Sequence, residues 1–238
     1  GALKRFDDAL PVVDELVKRF ADAREPNIRE QVAAALSNKG ATLGQMNRRE
    51  EAIATYDQLV AAYGTASEPV LRTEVARAMR NKEYELSQLE RFDEAIRVCD
   101  DLIARFGDAQ QPGVRQQVAL ALFDRAFVLQ RLQRVDAALA AYRDLISKFA
   151  DAQEPAIRAQ LAFALFNEGV MLGDLGRHDE AIEDYDRLIT GFSNATDAQI
   201  QETVKNAVTK KEALLATTAG AAAASDGPAG VDGPAASQ

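Results

Sequence analysis

Side chains able to do covalent or acid–base chemistry are scarce in this sequence, which holds one histidine, His178, and one cysteine, Cys99. A nucleophile needs a base beside it, and a thiol zinc site needs several thiols at short spacing. Neither arrangement can be assembled from Cys99 alone, and an internal disulfide is excluded as well. The remaining candidates are carboxylates, of which Asp179, Glu180 and Asp186 are closely spaced enough to suggest a cation site or an acid–base pair. They stand at the start of a predicted helix, where the dipole favours acids, so the spacing needs no ligand to explain it. No phosphate-binding loop, HExxH pair or calcium loop is present. The chain is accordingly not read as an enzyme, and it is expected to hold no catalytic residue, cofactor or metal.

The elements that position these residues come from an internal repeat of 43 residues. Ala9, Ala52, Ala95, Ala138 and Ala181 share one column, and Phe20, Tyr63, Phe106, Phe149 and Phe192 share another. Cys99 lies in a column with Tyr56, Tyr142 and Tyr185, and His178 in one with Arg49, Phe92 and Val135. The repeat therefore asks for neither a thiol nor an imidazole, and reads Cys99 as a core filler. A unit of this length cannot bury its apolar face alone, so the units must stack.

Each unit contains two predicted helices. The longer starts at Pro26, Pro69, Pro112 or Pro155, where a missing N–H costs nothing at the first helical position. Its apolar residues step by four, four, seven and three, as in Ile28, Val32, Leu36, Leu43 and Met46, which is one helical face. Its end is expected near Gly44 and Gln45 in the first unit and at Gly176 and Arg177 in the fourth, where glycine accepts left-handed geometry. A shorter helix follows, carrying Ile53, Tyr56, Leu59, Val60 and Tyr63 and their equivalents. No segment alternates with a period of two, so no sheet is expected.

The signature is clearest over Leu165 to Ile189, with Asn167, Gly169, Leu172, Gly176, Ala181 and Tyr185. These residues and their spacing resemble the tetratricopeptide repeat family, in a longer variety associated with bacterial proteins. The resemblance covers residue 3 to about 216. It implies an all-α, right-handed superhelical solenoid of stacked antiparallel helix pairs, in which Gly169 and Ala181 sit where two helices cross. The extra length of the unit is assigned to the Pro end of the first helix, as about two turns.

Residues 1–216 are expected to form the solenoid, opening on the second helix of a truncated unit and closing on a capping helix over 198–216. Leu10, Val13, Leu16 and Val17 then lack the helix that covers their counterparts. Residues 217–238, rich in Ala, Gly, Ser and Pro, are expected to be a flexible tail. Across each junction the sequence also offers an ion pair: Asp14 with Lys39, Asp57 with Lys82, Asp100 with Arg125, Arg143 with Glu168 and Asp186 with Lys211. The fourth pair reverses both signs together.

The resemblance further implies a concave groove lined by the first helices and occupied by a peptide or protein segment. Carried over residue by residue, the candidate contacts are Asn38, Arg77, Arg80, Asn81, Tyr84, Phe123, Asp124, Phe127, Phe163, Phe166 and Asn167. On this reading the groove is basic and aromatic in the second unit and strongly apolar in the last two. The alternative for the phenylalanines is that they fill space between lengthened helices. The net charge of −9 argues against nucleic acid or an anionic membrane as partner, and no apolar run reaches the roughly 20 residues of a membrane span. A cytoplasmic protein-binding scaffold is the expected role. The alternatives are a self-assembling module, associating through its open first end, a piece of a longer array, or a sensor domain of a multidomain signalling protein.

Overall fold

Each Glu-Pro or Gln-Pro pair starts a helix. The residue before proline is held extended, with φ −65 and ψ 122 at Glu25 and φ −63 and ψ 129 at Glu68, and the helix begins at the ring. In the computed structural model, which describes residues 2–225, the elements are α1 (Ala2–Phe20), α2 (Pro26–Gln45), α3 (Arg49–Tyr63), α4 (Pro69–Gln88) and α5 (Phe92–Phe106). They continue as α6 (Pro112–Arg131), α7 (Val135–Lys148), α8 (Pro155–Asp174), α9 (His178–Phe192) and α10 (Ala198–Ser225). Among the described residues there is no strand, and the architecture is an all-α, tetratricopeptide-like stack of helix pairs. The longer helix of each pair spans 20 residues and the shorter 14 or 15.

The chain divides into two compact units within α8, at Leu161 and Ala162. In the first unit, each helix from α1 to α6 packs on the next in sequence, and α2 also touches α4, as α4 touches α6. Among the described residues no comparable contact joins α3, α5 and α7. The first helices of successive pairs thus form one continuous face. In the second unit α9 packs against α10, and Asp197 starts α10 by accepting from the backbone N–H groups of Gln199 and Ile200 at 2.9 and 3.1 Å.

The apolar steps read from the sequence are the core. Val32, Leu36, Leu43, Leu71, Val75, Met79, Leu86, Val114, Val118, Leu122 and Leu129 are buried. The alanine column, Ala52, Ala95, Ala138 and Ala181, is fully buried. Gly40 and Gly169 explain why their column stays small: a Cβ on Gly169 would lie 2.7 Å from the Tyr185 ring, and one on Gly40 would overlap the Tyr56 ring. The charge ladder is present at four junctions. Lys39 meets Asp14, Lys82 meets Asp57 at 2.5 Å, Arg125 meets Asp100 at 2.7 Å and Lys211 meets Asp186 at 2.5 Å. Arg143 and Glu168 belong to different units. The aspartates are about half exposed, so each pair contributes at most about 1 kcal/mol and acts mainly on register.

Three expectations change. The left-handed residue that ends each first helix is not Gly44 but Asn47, Glu90 and Gln133 (φ 61, 58 and 57), with glycine only at Gly176 (φ 73). The turn is imposed by a Schellman pattern, in which the N–H of the following arginine reaches back to a buried leucine: Arg48 to Leu43, Arg91 to Leu86, Arg134 to Leu129 and Arg177 to Leu172, each at 2.9 Å. Those leucines fix the turn whatever residue occupies it. Second, α1 is one continuous helix from Ala2, with Pro11 inside it, and Lys4, the counterpart of the left-handed residues, is helical. Leu10 and Val17 are buried rather than bare, while Val12 is 67% exposed. Third, α10 continues past 216, through the strongly helix-forming run Ala221 to Ala224, and is helical to Ser225, the last described residue. The rest of the expected tail, 226–238, lies outside the described residues.

The strained turn yields a test. Gln133→Gly should stabilise the protein by about 0.5–1 kcal/mol, because relief of the left-handed penalty exceeds the entropy that glycine adds to the unfolded chain. Gly176→Ala should cost a similar amount or more, and paired urea titrations of the two variants read both signs.

Candidate functional site

Residues 77, 81, 84 and 88 follow one another along one face of α4, at the spacing of a helical stripe. On that face Tyr84 is 49% exposed, and Phe127, its equivalent on α6, is 46% exposed. Most apolar positions of the repeat are packed away, as shown by Tyr56, Tyr142 and Tyr185 at 0–1% exposure. Tyr84 borders a pocket of about 270 Å³ lined also by Ala41 and Gly44 of α2 and by Gln45, Arg49, Tyr56, Asn81 and Glu85. Asn38, exposed on α2, belongs to the same face.

The polar groups here are held by one another. Asn81 hydrogen-bonds the Tyr56 hydroxyl, and burial together with the Glu85 charge pushes that phenol up to about 12, so it remains a donor at neutral pH. Arg77 donates to Ser37 Oγ at 3.2 Å and pairs with Glu74 on its own helix. Arg80 reaches across to Asp124 of α6 at 3.4 Å. The basic character expected of this stretch is therefore cancelled locally, and the face presents aromatic rings and amides with little net charge. Asp124 looks inward to Arg80 and to Glu83 rather than outward.

The phenylalanines split between the two readings of the sequence. Phe123 is half-buried, stacked on Phe127 at 6.4 Å and edge-on to Tyr142 at 5.9 Å, so it fills space and supports the exposed ring. In the second unit Phe166 packs 6.2 Å from Tyr185, and Phe163 and Asn167 are half-buried on α8. The structure thus brings Arg77, Asn81 and Tyr84 onto one stripe of α4, with Phe127 at the equivalent place on α6.

One constellation escaped the sequence reading. Arg29, Arg72 and Arg115 lie over the rings of Tyr63, Phe106 and Phe149 at 5.3–5.7 Å. Arg29 and Arg115 also pair with Glu68 and Glu154, the residues before the next proline. Arg29 and Arg115 therefore join their own pairs to the following ones. The signal was available, since an arginine stands three residues after Pro26, Pro69, Pro112 and Pro155.

The sequence matches profiles of the tetratricopeptide repeat at 33–64, 120–152 and 164–190. Each match begins about two turns into a first helix. The pair α4–α5 lies outside the matched segments. No curated protein matches the sequence. Among solved structures, BtubC (BKLC) from P. vanneervenii is similar with a TM-score of 0.66 and 16% identity, over 100% of this chain and 98% of that one. A thermophilic TPR protein of Thermus thermophilus is similar with a TM-score of 0.45 and 19% identity, over 87% of this chain and 93% of that one. At 16% identity the first likeness is one of fold.

Proposed function

We propose that this chain, which matches tetratricopeptide repeat profiles over three segments of a kind that generally mediates protein–protein interaction, is a non-enzymatic scaffold holding a protein segment on the face of α2, α4 and α6. The observation that carries this reading is the exposure of Tyr84 and Phe127, 49% and 46%, at equivalent places in consecutive repeats. Two large rings left half in water on one face are typical anchors of an interface. Asn38 and Asn81 add amides suited to both the N–H and the C=O of a bound backbone. The equivalent face of α8, with Phe163, Phe166 and Asn167, extends the same role in the second unit. No helix among the described residues is long and apolar enough to cross a membrane, and the single thiol of Cys99 suits a reducing compartment such as the cytoplasm.

Display of a random peptide library on the purified protein tests the proposal. Peptides enriched on the wild type should lose affinity about 10–100-fold on the Tyr84→Ala, Phe127→Ala double variant, with the thermal midpoint little changed. Equal enrichment on both proteins sinks the assignment of this face. A second reading, self-association, is favoured by Val12 and Phe20 on α1, 67% and 36% exposed. Light scattering that shows the same mass across a hundredfold range of concentration disposes of it.

A further inference from the structure

Three columns of the repeat change together at one junction. Where the other pairs have Gly40, Ala126 and Gly169, α4 has Glu83; where they have Tyr56, Tyr142 and Tyr185, α5 has Cys99; where they have Asn38, Asn81 and Asn167, α6 has Asp124. At the first junction the Tyr56 ring lies against Gly40 and its hydroxyl hydrogen-bonds Asn81 of the next pair, whereas the Tyr142 hydroxyl donates to Gln130 of its own pair at 2.9 Å. At the altered junction the smaller Cys99 leaves room, Glu83 fills it at 3% exposure, and its carboxyl takes the place of the phenol as hydrogen-bond partner to Asp124. A phenol keeps its proton at neutral pH, whereas a carboxyl must be made to.

We propose that Glu83 and Asp124 form a proton-operated joint between α4 and α6, closed when the two carboxyl groups share one proton and loosened when that proton is lost. The neighbouring charges leave the pair short of a counter-ion. From α6, Arg125 is turned to Asp100 of α5 at 2.7 Å. Cys99 of α5 is a buried thiol whose ionisation is strongly opposed. From α4 itself come Ser87, donating to Glu83 Oε1 at 2.8 Å, and Arg80, 3.4 Å from Asp124. One guanidinium therefore faces two carboxyls, which is neutral with the proton and carries a buried negative charge without it. Burial first, and then the charge of Asp124, push Glu83 up to about 7, within reach of physiological change. The Arg80–Asp124 contact lies beside Tyr84, so the joint sits next to the exposed aromatic face.

Carboxyl-carbon NMR of the wild type, with Glu83→Gln used to assign the signal, reads the proton directly, and amide exchange along α4 and α6 reads the joint. The expected result is a Glu83 midpoint near 7 and an opening constant that climbs by up to about tenfold per pH unit between roughly pH 5 and 7, then levels. Glu83→Gln, which keeps a donor without a titration, should flatten that climb, and Asp124→Asn should lower the midpoint. A Glu83 midpoint in the ordinary carboxylate range, or an unchanged climb in Glu83→Gln, overturns the proposal. Should the variant fail to fold, the wild-type midpoint decides, assigned through Asp124→Asn.

Discussion

Leucine in place of Gly40 should lower the unfolding free energy by about 3–5 kcal/mol, measured as a drop in the urea midpoint at unchanged slope. In an isolated helix the same change would be favourable by nearly 1 kcal/mol, so the sign rests on packing. A Cβ at Gly40 would lie 2.7 Å from Tyr56 Cζ and 2.9 Å from Cδ1. That ring is 1% exposed, and its hydroxyl is tied to Asn81 on the next pair. It has nowhere to swing without parting α2, α3 and α4 together. Tyr56→Ala alone should also cost about 3–5 kcal/mol through its cavity. The two losses should not add, because the cavity of one receives the side chain of the other, and a double-mutant cycle should show about 2 kcal/mol of coupling. The chain carries its own precedent in Glu83 and Cys99, where a larger first residue accompanies a smaller second one. Strictly additive losses would show that the column is small for another reason.

The same comparison of columns explains what was legible. Apolar steps such as Val32, Leu36 and Leu43 located the core because each helix buries one stripe, and stripes survive in one dimension. The ladder of Asp57 with Lys82 was legible because repetition gives each residue a partner at a constant separation. The left-handed positions were not, because the turn at Gln133 is set by the buried Leu129 and not by the residue in it. At the candidate site, composition alone made Arg77 and Arg80 look like free charge. Their partners, Glu74 and Asp124, cancel them through rotamers and inter-helix distances that spacing does not encode. Phe123 and Phe127 illustrate the same limit: four residues apart on one helix, one supports and the other is exposed.

Removing Arg49 should cost about 3 kcal/mol, near the lower end of the range for breaking a buried ion pair. Arg49 opens α3 and places Nη1 2.7 Å from Glu85 Oε2 of α4, and Glu85 is 5% exposed. Gly44 of α2 makes the space, since a Cβ there would run into the Glu85 carboxylate. Three helices thus meet at one carboxylate, and Arg49→Ala leaves it without its counter-charge. The cost measures that stranded charge, not the value of the pair, and the next repeat supplies the control. There the equivalent residues are Phe92 and Val128, an apolar pair. Arg49→Phe with Glu85→Val should therefore fold with stability equal to the wild type or above it, because two desolvated charges are exchanged for apolar contact. Thermal and urea unfolding of the single and double variants distinguish the cases. A loss below about 1 kcal/mol in Arg49→Ala means that solvent reaches Glu85 readily. A double variant as unstable as the single one means that the pair itself, and not apolar packing, holds α2, α3 and α4 in register.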